Sequence, residues 1–137
     1  MKQPLTALIS VVIVAAVAEA MATPQADPAA PAVKDVMATM TVPASDAVFS
    51  AASEPPRGAA QWVALQASAK TLAESGRLLT TTSRKDDPEW IEMARALVTE
   101  AEATLKVIET RNADALSQAG ETLYVTCETC HARFMNR

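Results

Sequence analysis

The chain has 137 residues, half of them hydrophobic, and carries 12 Lys and Arg against 16 Asp and Glu for a net charge of −4. No Lys/Arg-rich run or basic helix face stands out, which argues against a nucleic-acid partner. Two cysteines and one histidine are all the chain holds of those residue types, so a four-ligand structural Cys/His metal site would need a second chain.

Met1-Lys2-Gln3 is a short positive segment, and Leu5 to Val17 is an apolar run interrupted only by Thr6 and Ser10. Ala18-Glu19-Ala20 and Ala20-Met21-Ala22 both fit a small-x-small cleavage site. Residues 1–22 therefore read as a secretory signal peptide, with cleavage after Ala20 or Ala22 and a periplasmic destination. The apolar run falls short of the ~20 residues that span a bilayer, and no cysteine near the cleavage site offers a lipid anchor. About 115 residues remain after cleavage, one domain's worth. Residues 23–32 contain three prolines and read as a Pro/Ala-rich leader without regular structure.

Four helical patterns follow, over residues 33–137. Val33, Val36, Met37 and Met40 recur at helical spacing. Pro43 is expected to break or kink this helix, with Ser45 and Asp46 capping a restart that carries Val48, Phe49 and Ala52. Glu54-Pro55-Pro56-Arg57-Gly58 is a loop. From Ala59 to about Thr80, Trp62, Leu65, Ala69, Leu72, Gly76 and Leu79 form a seam of alternating steps of three and four. Glu74 lies off the seam, at the right spacing to pair with Lys70. Asp87-Pro88-Glu89 opens the third helix with an N-cap, a first-turn proline and a dipole-matched acid. Trp90, Ala94, Leu97, Ala101, Leu105 and Ile108 carry its seam to Arg111. Asn112 or Asp114 caps the fourth helix, whose buried line is Leu116, Ala119, Leu123, Cys127, Cys130 and Phe134. Each helix spans about 30 Å at ~1.5 Å per residue, and short connections between such helices predict an all-α antiparallel four-helix bundle, with any cofactor held between helices.

All the cysteine and histidine of the chain falls within Cys127-Glu128-Thr129-Cys130-His131. This is C-x-x-C-H, the attachment signature of a c-type haem. Positions i, i+3 and i+4 share a helical face, so Cys127 and Cys130 can bond one porphyrin's two vinyl groups while His131 reaches its iron. The triplet coincides with the apolar line of the fourth helix, so the ligands are expected to face the core. A zinc site is the first alternative, but it would use up every available Cys and His and still lack a fourth ligand. A dithiol redox pair is the second, but that motif belongs at a helix N-terminus after a strand, and no strand pattern precedes it. With only five aromatic residues in Phe, Trp and Tyr together, haem would supply much of the core's apolar bulk. The haem-free protein is therefore expected to be poorly packed. Trp62 and Trp90 read as packing residues, and the carboxylates Glu89, Glu92, Glu100, Glu102 and Glu109 as a solvated face. No paired-carboxylate or nucleophile constellation points to an enzyme.

Together the export signal, the four helices, and Cys127-Glu128-Thr129-Cys130-His131 followed by Phe134 resemble the class II cytochromes c, the cytochrome c-prime family, over about Val33 to Arg137. In that family the attachment motif lies near the C-terminus of a four-helix bundle. Many members have an arginine directly after the aromatic, where this chain has Met135; Arg133 and Arg137 are the remaining candidates to pair with haem propionates or stack near the ring. The resemblance implies one covalent haem c, thioethers at Cys127 and Cys130, and iron ligation by His131. It also implies redox partner proteins, and a homodimer is among the family's arrangements. In the low-spin branch a methionine of the first helix fills the sixth position, and the protein is an electron carrier. In the high-spin branch that position is open and takes NO or CO. Met37 is the preferred sixth ligand here, because Val36-Met37 resembles the low-spin pattern, and Met40 is the runner-up. For both, the ordinary alternative is gap-filling in the core. Met93 lies off the third helix's seam, and Met135 is too near His131 to reach the opposite face.

Overall fold

A computed structural model describes residues 30–135. The predicted signal peptide, most of the leader and Arg137 lie outside these residues.

The first rod starts as α1 (Val33–Val36), widens into a π-helical segment (Met37–Thr41), and continues as α2 (Val42–Ser53). Then come α3 (Ala59–Leu79), α4 (Pro88–Thr110) and α5 (Ala113–Phe134). Neighbours in sequence pack on each other, and α2 closes the ring against α5. Connections this short leave helices of this length no option but to reverse direction, so the rods alternate up and down. The described residues contain no strand, and no helix among them is long and apolar enough to cross a membrane.

Most caps are the ones the sequence foretells. The Asp87 carboxylate accepts from the amides of Glu89 and Trp90 at 3.2 and 3.3 Å. Asn112, rather than Asp114, caps α5, its side-chain oxygen accepting from the Ala115 amide at 2.9 Å. Arg111 ends α4 in the left-handed region at φ 53°, a conformation more usual for glycine. Gln61 reaches back to accept from the amides of Arg57 and Gly58, which fixes the entry to α3.

Two expectations are corrected. The first rod is not broken at Pro43. Proline has no N–H for the carbonyl four residues back, and its ring crowds that carbonyl. The rod passes this point by widening its winding just upstream, with the Val42 amide donating to the Met37 carbonyl five residues before it. Ser45 caps no restart; its hydroxyl donates to the Val42 carbonyl at 3.0 Å. Glu74 does not pair with Lys70 either. It pairs with Arg77, which also reaches across to Glu102 of α4.

The core is sealed along the inner faces of α3, α4 and α5. Leu72, Ile108, Leu116 and Leu123 are completely buried, each by ~1.5–3 kcal/mol more favourable inside than exposed. Two glycines permit the closest crossings. A Cβ on Gly76 would lie 2.8 Å from Val98 Cγ2 and 3.2 Å from its amide nitrogen, and one on Gly120 would lie 2.6 Å from Ala52 Cβ.

Candidate functional site

The alternating direction of the rods gathers four segments at one end of the bundle: the start of the first rod, the end of α3, the start of α4 and the end of α5. A cleft of about 310 Å³ lies there. Met37, Thr41 and Phe49 line it from the first rod, Leu79 from α3, Trp90, Met93 and Ala94 from α4, and Tyr124, Cys127, Cys130 and His131 from α5. Its walls are mostly apolar: Thr41 donates to the Val36 carbonyl and Thr126 to the Thr122 carbonyl, while Tyr124, Glu128 and His131 contribute further polar groups to the lining.

Met37 thus shares one cleft with all three residues of the C-x-x-C-H triplet, although about ninety residues separate them in the chain. Met40 does not line it. A straight α-helix would place residue 40 one turn above buried Val36, but the π segment moves Thr41 into that inward position. Met37 and Met40 therefore do not share a face as α-spacing predicts.

Cys127 and Cys130 are half-buried, but His131 is exposed along one side of the cleft, which corrects the expectation that all three face the core. His131 is about 100° round the helix from Cys130, at the edge of the stripe, and no other element covers that side. The two thiols are free. Burial pushes the Cys127 thiol above the usual thiol range, and the neighbouring Cys130 pushes it further the same way. Burial also raises Cys130, with Arg84 pulling in the opposite direction. Both thiols are therefore held protonated. A dithiol redox pair needs the reverse, a thiolate stabilised at a helix N-terminus, whereas these sit in the second half of α5. The zinc alternative fares no better: among the described residues no three His, Cys, Asp or Glu side chains converge on a metal-sized site.

The donor set suits haem c. Two neutral thiols one turn apart, an imidazole on the following residue and a thioether on a different helix all border an apolar slot, and these are the groups that hold a haem covalently and ligate its iron.

The aromatic surround was only partly legible. Phe49 and Tyr124 meet edge to face at 5.9 Å, and Trp90 meets Phe134 the same way at 5.1 Å. Trp62 and Trp90 are both buried, and the Trp90 indole N–H donates to the Leu79 carbonyl at 2.8 Å. Tyr124 stands three residues before Cys127 and Met93 three after Trp90, so helical spacing could have found both. Arg84, whose guanidinium lies 4.4 Å from the Phe134 ring centre, comes from the α3–α4 loop, and no periodicity foretells it. Arg133, a candidate for the propionates, is instead paired with Glu89. That pairing holds the Glu89 carboxyl below its usual range.

No family model, curated protein or solved structure matches the chain.

Proposed function

We propose that this chain is an exported, periplasmic c-type cytochrome with one covalent haem, acting as an electron carrier through His131 and Met37 ligation. The observation that carries this reading is the convergence on one apolar cleft of Met37 with Cys127, Cys130 and His131. Cys127 and Cys130 would hold the haem by thioethers, and His131 and Met37 would ligate its iron. Haem c supplies a one-electron iron couple, and a His/Met ligand pair raises its potential. The residues of the cleft do the rest. Trp90, Leu79 and Ala94 exclude water from one wall, which disfavours net charge in the slot and so tunes the potential. Thr41, Ser45 and Thr126 spend their hydroxyls on backbone carbonyls. The proposed role is that of a carrier, not an enzyme. Redox partner proteins follow from that role, and a homodimer is compatible with it.

A second reading is a five-coordinate protein that binds NO or CO. It rests on the half-buried position of Met37, which leaves apolar room beside the thioether. An optical spectrum of the haem-loaded protein separates the two. A low-spin spectrum with the weak long-wavelength band of a methionine–iron(III) bond supports the carrier; a high-spin spectrum that shifts readily with CO overturns it. Met37→Ala should abolish that band, and Met40→Ala should leave it intact.

A further inference from the structure

The end of α5 that carries Cys130 and His131 has little apolar anchorage of its own. Thr129, His131 and Ala132 are exposed, and Phe134 is the last inward-facing side chain. Helix ends in this state fray. The Glu89–Arg133 ion pair joins this end to α4, but both side chains are over a third exposed, and such pairs hold a helix weakly.

A second tie runs through the α3–α4 loop. The Arg84 guanidinium lies 5.1 Å from the centre of the Trp90 ring and 4.4 Å from that of Phe134. The two rings meet edge to face at 75°. Trp90 is fixed in turn by its hydrogen bond to the Leu79 carbonyl at the end of α3. Arg84 is oriented from behind by Asp87 at 3.6 Å, the same residue whose other carboxylate oxygen caps α4. One guanidinium therefore touches the start of α4, the end of α5 and the loop between α3 and α4. It is also near enough to act electrostatically on Cys130.

We propose that Arg84 is a positioning residue that clamps Phe134 against Trp90 and so presets the Cys130–His131 turn toward the cleft before haem is attached. A planar cation suits the task because it can lie against two aromatic rings at once, which a lysine ammonium cannot do equally well. The adjacent Lys85 is exposed and makes none of these contacts, so it is the natural control. The attachment part of this proposal rests on the haem reading above; the clamp itself does not.

The test is hydrogen–deuterium exchange on the full chain as purified, comparing Arg84→Ala, Arg84→Lys and Lys85→Ala. Arg84→Ala should speed amide exchange across 129–135 by roughly fivefold, the local opening expected from losing a partly desolvated cation–π contact, and leave 113–120 unchanged. Arg84→Lys should fall between Arg84→Ala and the parent, and Lys85→Ala should match the parent. Unchanged exchange across 129–135 in Arg84→Ala overturns the clamp, as does full rescue by lysine, which would reduce its role to charge alone. Intact-protein mass after co-expression with haem-attachment machinery gives the second readout. Arg84→Ala should yield a larger share of chains whose Cys130 still reacts with iodoacetamide; an unaltered share overturns the link to attachment. If the parent chain itself gains no haem mass, the haem reading fails while the exchange result still decides the clamp.

Discussion

The two ends of this bundle are built from the same residue types in different states of completion. Where α4 runs into α5, Ile108 and Leu116 are fully buried and even the polar side chain of Thr104 is sealed. At the other end Met37, Phe49, Cys127 and Phe134 only lean against the core, and Tyr124 and Val42 remain 55% and 47% exposed. A closed core maximises stability, but an apolar slot left open beside it costs dispersion contacts, and such slots in small proteins are the usual places for ligands. The chain gathers its chemically distinctive side chains at the end that carries the slot, beside the buried Leu79, Thr82 and Trp90.

Substitutions should break this contrast unevenly. Leu116→Ala should have the largest effect, destabilising by about 3–4 kcal/mol because the closed end cannot collapse around the missing atoms; Met37→Ala should cost under about 1 kcal/mol in the haem-free chain, since its site already borders open space. Urea unfolding measures both, and equal losses would abolish the distinction. Gly76→Ala and Gly120→Ala come next, at about 1–3 kcal/mol each, because the new methyl must displace the Val98 side chain or the Ala52 methyl.

The haem-free chain should also lose stability at high pH. Cys127 and Cys130 have raised thiol pKa values, so the folded state binds their protons more tightly than the unfolded chain. Their contribution is complete below the ordinary thiol pKa and is lost as pH climbs from there through the folded values. Tm should fall across that window, and a Cys127→Ser, Cys130→Ser variant should lose that part of the fall. Iodoacetamide should correspondingly label both thiols more slowly at pH 8 than a free peptide thiol; faster labelling would contradict the burial effect. The smallest effect is expected at the closed end, where Arg111→Gly should raise stability by up to about 1 kcal/mol by removing the strain of a left-handed arginine.

Much of the bundle was readable from local pattern. The seams of α3 and α4 match their buried faces closely, and Asp87 and Asn112 cap as their chemistry dictates, since periodicity and capping act within one helix. Failures arose where one helix had to accommodate a local conflict. Pro43 reads as a break, yet a π segment absorbs it, and the lost α-register is what separates Met40 from the cleft. His131 reads as inward, yet burial depends on what covers a face, and nothing does so on that side.

By itself the sequence determined the four helical rods, their reversal at short connections, and a two-thiol, one-imidazole triplet on a single helical face, because each follows from spacing along one chain segment. Only the tertiary structure decided that Met37 and not Met40 borders the slot with that triplet, that Arg84 crosses from a loop to Phe134, and that one end of the core closes while the other stays open. Those outcomes depend on side chains from separate rods meeting in space, and no periodicity within a single helix encodes them.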